Sequence, residues 1–321
     1  MTSRSIPVVD VARLGDEALV EPLVGAFRDL GFVALRGHGV RAPLIEACYE
    51  AVAAFFALPD QVKRRYHVAG GGGARGYTPF AVEKARDQTV ADLKEFWHVG
   101  RELPAGATGD DYRAVGLVPN VWPREVSGFR EATLALYREL DSLGARVLRA
   151  IARGLELSPD YFEGVVNRGN SILRPLHYPP LSDPPEGAVR SAAHEDINLI
   201  TLLVGAREPG LQILTRAGGW IDAPAGEDLI ICNVGDMLQR LSNHVLPSTT
   251  HRVINPPPGT PGVGDARNVS RYSIPFFLHP NSDFLIETLP SCTSAGRENR
   301  YPEPILADDY LQQRLREIGL M

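Results

Sequence analysis

Ser191–Thr201 reads SAAHEDINLIT. An imidazole at 194 and a carboxylate at 196 stand two residues apart. In a β-strand, positions i and i+2 project from the same face. This spacing therefore predicts a strand that presents His194 and Asp196 together. Glu195, between them, then points to the opposite face. Downstream, STTHRV at 248–253 supplies His251 from a second strand-like segment.

On either side of that stretch, apolar runs alternate with Pro/Gly turns. They are Ile172–Tyr178, Ile197–Val204, Leu211–Leu214, Leu229–Asn233, His251–Ile254 and Arg271–Leu278. Short strands at this spacing predict a sandwich or barrel. Upstream the pattern is helical. Asp16–Leu30 stops at Gly31, Ala42–Ala57 stops at Leu58-Pro59, and Phe129–Leu155 is a long amphipathic helix. Ile6–Val9, Phe32–Leu35 and Asp92–Gly100 read as extended, and Glu303–Leu320 as a closing helix. Gly70–Gly73 reads as a surface loop, because no Gly-Lys-Ser/Thr follows to cradle a phosphate. The expectation is one α+β domain over 1–321 with a mainly β core. Residues 1–170 form a mostly helical part packed on a 171–290 core, and 291–321 carry the last helix.

Composition narrows the function class. The chain has 321 residues, a net charge of −6 and an ordinary apolar fraction of 44%. That balance argues against a nucleic-acid partner. No apolar run approaches a membrane span, and the first residues, MTSRSIPVVD, lack a signal-peptide core. Cys48, Cys232 and Cys292 are scattered and form no zinc or redox spacing. Reduced thiols, a cytoplasmic location and no membrane partner are expected. Oligomeric state is left open.

Two imidazoles and a carboxylate can cap one face of an octahedral metal, the arrangement that non-haem Fe(II) oxygenases use. Zinc accepts the same ligand types. A zinc hydrolase would need a general base, and Glu195 points away; no H-E-x-x-H helix is present either. His244, in the turn LSNHVLP, competes as third ligand and reads as a loop residue. A second constellation is Arg271 and Ser273 in RYSIPFF, again two apart. A guanidinium fork and a hydroxyl suit a carboxylate. Tyr178, in HYPP, is a further donor if its strand lines the same cavity.

Taken in order, IPVVD, GFVALRGHGV, DLKEFWHVG, NVWP, RPLHYPP, HEDINLITLL, GLQI, NVGDMLQRLSNHVLPSTTHRV and RYSIPFF resemble the isopenicillin N synthase-like family of Fe(II)/2-oxoglutarate-dependent oxygenases. The resemblance covers nearly the whole chain. It implies a double-stranded β-helix, or jelly roll, with flanking helices. It implies Fe(II) on His194, Asp196 and His251, and 2-oxoglutarate on Arg271 and Ser273 with help from Tyr178. It further implies O₂ as oxidant, release of succinate and CO₂, and hydroxylation of a small organic molecule. The sequence departs from the family pattern in four places, one of them Glu195, where Thr is frequent. Leu176 stands where many plant members have an Asn that contacts 2-oxoglutarate, Gly37 replaces an Asn, and Asn243-His244 replaces Asn-Gly.

Two alternatives share the fold: an Fe(II) oxidase or cyclase that does not use 2-oxoglutarate, and a non-catalytic cupin-like binding protein. For the substrate pocket, Phe277, Tyr77, Arg75 and Trp97 are the candidates, Phe277 foremost because it shares a strand with Arg271. Phe80 and His279 are weaker ones. Gln239, Asn243 and Asp236 are candidates for buttressing the metal site.

Overall fold

A computed structural model describes residues 5–68, 74–83, 90–180, 187–204, 209–224, 226, 228–255 and 269–317. The Gly70–Gly73 run and most of the Leu181–Arg190 loop lie outside them. In chain order the strands are β1 Val8–Asp10, β2 Phe32–Arg36, β3 Gly76–Thr78, β4 Glu95–Gly100, β5 Ile172–Leu173, β6 Leu176–Tyr178 and β7 Ser191–His194. They continue with β8 Ile200–Val204, β9 Leu211–Leu214, β10 Trp220–Asp222, β11 Leu229–Val234, β12 His251–Val253, β13 Arg271–Leu278, β14 Leu285–Ile286 and β15 Ile305–Leu306. The helices are α1 Val20–Leu30, α2 Ala42–Phe56, α3 Asp60–Lys63, α4 Gly109–Ala114, α5 Phe129–Gly154, α6 Glu163–Val166, α7 Asp236–Leu241 and α8 Ala307–Glu317.

The large sheet runs β1-β2-β11-β8-β13-β5-β4-β3, with β6 bridging β13 and β4, and the small sheet runs β10-β9-β12-β7. This is the expected jelly-roll core with flanking helices. In the mostly helical first half, β1, β2 and β4 fall on the segments read as extended, and β1 to β4 all join the large sheet.

The helices cover the outer face of the large sheet. α1 buries Leu23, Val24, Phe27 and Leu30, one stripe at helical spacing. It ends where expected, at Gly31, whose φ of 73° lets its N–H reach the Phe27 carbonyl. α5 buries Leu136, Leu140, Leu143, Val147 and Ile151 against α1, α2 and β13. Inner and outer faces of β13 differ accordingly. Ile274, Phe276 and Leu278 are fully buried in the main core, while Phe277 on the inner face is half-buried.

Candidate active site

His194 ends β7 and His251 begins β12, and the two are register partners across the small sheet. Their rings lie 4.3 Å apart, centroid to centroid. Asp196 is not on the strand. β7 stops at His194, and Asp196 sits in the crossover that leads to β8 in the large sheet. The strand-face argument for this pair therefore fails, although the side chains still meet. His194 Nε2 is 3.9 Å and His251 Nε2 3.8 Å from Asp196 Oδ1. One ligand atom from each residue falls within 4.8 Å of the others.

The surrounding hydrogen bonds prepare these atoms for a cation. His194 Nδ1 faces the Ala192 carbonyl at 2.8 Å and His251 Nδ1 the Thr249 carbonyl at 3.1 Å. A carbonyl only accepts, so Nδ1 carries the proton and Nε2 offers its lone pair inward. The Asp196 carboxylate is divided in the same way. Its Oδ2 accepts from Thr201 Oγ1 (2.6 Å) and Asn233 Nδ2 (2.8 Å), leaving Oδ1 for the centre. Burial and the neighbouring His251 push the His194 pKa down to about 4, so the ring is neutral near pH 7. Burial alone would raise Asp196, but the His251 and His194 rings together with the hydrogen bonds from Asn233 and Thr201 outweigh it and hold the carboxyl below its ordinary value. A metal takes a neutral imidazole and an ionised carboxylate, the states in which burial and the neighbouring groups hold His194 and Asp196. The donor set fits Fe(II).

On β13, at the same parity as Phe277, Arg271 is 1% exposed, yet among the described residues its Nε and Nη1 have no hydrogen-bond partner. Its guanidinium lies over the ring of Tyr178, its register partner on β6, at 5.1 Å. Ser273 is the next residue on that face and is buried. A buried cation with two free donors is costly unless something anionic completes it. A carboxylate of 2-oxoglutarate has the charge and the acceptors to do so.

Of the four pocket candidates, Phe277 alone faces the site. It pairs with Thr201, which pairs with Asn233, so all three share one row on the inner face. Tyr77 and Trp97 are the correction. They pair with each other on the outer face and pack around Phe55 in the main core, because the period-2 alternation of β4 sends Trp97 one way and Phe96 and His98 the other. Arg75 is buried under the Val118 carbonyl and Asn170 and holds loops together. Phe80 is exposed, and His279 is buried just beyond β13.

The proposed buttresses also move. Gln239 accepts from the Ser248 N–H, and Asn243 ties down Cys292, Glu298 and Arg300 in the C-terminal segment. Asp236 touches the site only through its backbone N–H, which donates to the Asp196 carbonyl, while its side chain meets Arg314 of α8. His244 stacks on Tyr301 and is no ligand. Glu195 is exposed and accepts from Thr250. Thr201 and Asn233 were not found by sequence reasoning, because their partnership exists only once β8 and β11 are side by side. Arg174 left a usable trace: it shares parity with Leu176 and Tyr178 in RPLHYPP.

Comparison with known proteins agrees with this geometry. Residues 6–125 match the family described as non-haem dioxygenase in morphine synthesis N-terminal, and residues 166–280 match the 2OG-Fe(II) oxygenase superfamily. The chain is 35% identical over 311 residues to the proline hydroxylase buaE of Petromyces alliaceus, covering 93% of each. It superposes on a Caulobacter crescentus protein assigned to the 2OG-Fe(II) oxygenase family with a TM-score of 0.87 and 46% identity, over 98% of this chain and 100% of that one. A full-length Neurospora crassa protein, solved in complex with alpha-KG, superposes with a TM-score of 0.83 at 32% identity, over 97% and 95% of the two chains.

Proposed function

The chain belongs to the 2OG-Fe(II) oxygenase superfamily, and on that footing we propose that His194, Asp196 and His251 hold its Fe(II) while Arg271, Ser273 and Tyr178 hold its 2-oxoglutarate. The protein is a 2-oxoglutarate-dependent dioxygenase of the hydroxylating type, requiring Fe(II), 2-oxoglutarate and O₂. Its relatives act on small molecules, and this chain takes a small organic substrate at the inner face of the large sheet. Three buried, unpaired cysteines, Cys48, Cys232 and Cys292, support a reducing, cytoplasmic setting.

The observation that carries the assignment of residues is Arg271. A guanidinium sealed from water with two donors unused among the described residues, in a chain whose three metal-ligand atoms converge, is what a chelating dicarboxylate would complete. Held there, iron would let O₂ oxidise two partners by two electrons each, 2-oxoglutarate to succinate and CO₂ and the substrate C–H to C–OH, one oxygen atom going to each product. The chain's own groups set the conditions. His194 and His251 present lone pairs oriented by backbone carbonyls. Thr201 and Asn233 hold one Asp196 oxygen so that the other stays directed inward. Phe277 and Tyr178 line the face on which the substrate and co-substrate lie, excluding water and fixing their approach.

Anaerobic titration with Fe(II) and 2-oxoglutarate tests this. A visible charge-transfer band is expected in the wild type, absent in H251A and without 2-oxoglutarate affinity in R271M. A band of unchanged intensity in both variants would remove the assignment, and a flat spectrum in the wild type would favour a non-catalytic cupin-like binder.

A further inference from the structure

The inner face of the large sheet carries one more charged group in line with the ligand cluster. Ile172 on β5 pairs with Phe277, and Arg174, two residues on, returns to the same face. The row therefore runs Asn233, Thr201, Phe277 and then Ile172 on β5. At strand spacings of about 4.8 Å, Arg174 lies roughly two strands from the residues that grip Asp196.

The Arg174 side chain is built in. Its guanidinium lies over Phe96 at 4.7 Å and Phe277 at 5.0 Å. Nε donates to His98, and Nη1 is 3.4 Å from Glu83. Glu83 is itself held by Lys94 at 3.0 Å, and Lys94 also meets Asp92 at 2.8 Å. Burial would raise the Glu83 carboxyl, but Lys94 and Arg174 hold it down at about 2, so the anchor keeps its charge. Each of these contacts fixes one side of the fork. Nη2 has no partner among the described residues, and the side chain remains 19% exposed. Ile172 and Phe277 beside it are half-buried, whereas Leu173 and Phe276, facing outward into the core, are fully buried. The half-open surface is thus on the site face, and its polar element is a pre-oriented donor.

We propose that Arg174, held between Phe96 and Phe277, anchors the polar end of the substrate, and that the substrate class is a small molecule with a flat apolar body and an acceptor oxygen, carboxylate or carbonyl. The inference rests on the function proposed above and names the substrate class for that same site. The flat body lies on the open Phe277 ring. The acceptor oxygen takes the free edge of the guanidinium. Lys94, Arg174, Glu83 and Asp92 sum to zero charge, so neither a neutral amide nor a carboxylate is excluded. A cationic head is disfavoured, because Arg174 is the group it would meet and the carboxylates behind it are already engaged.

Three probes of one shape separate the possibilities: benzoate, benzamide and benzamidinium. Each is titrated calorimetrically into protein loaded with Mn(II) and saturating 2-oxoglutarate, without O₂. Benzoate or benzamide is expected to bind at least about tenfold more tightly than benzamidinium, as one charge-assisted hydrogen bond allows. Whichever of the two binds better tells carboxylate from carbonyl. R174M is expected to abolish the preference, and R174K, a point charge without the fork, to recover part of it for benzoate only. Equal binding of all three, binding of none at millimolar concentration, or a preference for benzamidinium overturns the proposal from the wild type alone, whether or not the variants fold. A preference that survives in folded R174M overturns it too. The prior titration with 2-oxoglutarate is read separately. Its failure in the wild type would instead remove the function on which this inference stands.

Discussion

Thr201 and Asn233 are register partners on adjacent strands, and both donate to the same oxygen of Asp196. The loop that carries Asp196 has no strand of its own to stiffen it. Its carboxylate is oriented by the neighbouring sheet instead. Removing either donor should leave the fold intact and loosen the metal. For T201V and N233L we expect metal affinity to fall about 10- to 100-fold, the usual cost of losing an outer hydrogen bond to a ligand. Mn(II) titration monitored by electron paramagnetic resonance measures it, with circular dichroism as the control. Unchanged affinity in both variants would show that Asp196 needs no such support.

Arg271 should reveal itself through opposite effects on two states. A buried guanidinium with two donors unsatisfied among the described residues destabilises the empty protein. R271M should therefore leave the Tm of the apoprotein unchanged or raise it. The wild type should gain about 2.7 kcal/mol from 2-oxoglutarate at 100 times its Kd, and the variant should gain none. Thermal melts with and without Mn(II) and 2-oxoglutarate separate the two effects. A variant that melts much earlier in both conditions would mean that Arg271 is structural.

The loop bearing Asp196 also depends on a close backbone approach. A Cβ built on Gly235 would stand 2.2 Å from the Asn198 carbonyl oxygen. The obstacle is backbone, so only a shift of the 195–199 loop or of the end of β11 relieves it. The Gly235 N–H also donates to the Leu199 carbonyl. We expect G235A to cost about 1–3 kcal/mol of stability and to weaken metal binding in the same step. G164A, whose added methyl meets nothing within 4 Å, is the matched control. Normal metal affinity in G235A would count against the coupling.

Acid stability should report on the buried cluster beside Arg174. Burial raises and Lys94 and Arg174 lower the Glu83 carboxyl, with a net result near 2 against an ordinary 4.5. A folded pKa below the unfolded one contributes stability that is full above about 4.5 and is lost as pH falls through about 2. E83Q removes that contribution. The difference in Tm between wild type and E83Q should therefore be largest above pH 5 and shrink steadily below it. A difference that does not vary with pH would mean that Glu83 is not ionised in the folded protein.

Much of the site was legible because its residue types are tied to local spacing. His194, Asp196 and His251 were named from their order and chemistry, and Arg271, Ser273 and Phe277 follow from period 2 on one unbroken strand, β13. The same reasoning misplaced Trp97 and Tyr77. Both are aromatic residues beside strand-like runs, and parity within a strand does not say which face is inside. Only the pairing of β4 with β6 and β3 fixes that Phe96 and His98 look inward and Trp97 outward.

The amino-acid sequence by itself determined the helices with continuous stripes, α1, α2 and α5, the long strand β13, and the identity of the three side chains whose ligand atoms converge. Each rests on interactions between residues close in the chain, where periodicity is visible. Tertiary structure alone decided that Asp196 lies on a crossover, that Thr201 and Asn233 grip it, and that Arg174 shares its sheet face. Those relationships join segments far apart in the chain through strand register. Register is set by the burial of whole faces at once, so no single stretch of sequence contains it.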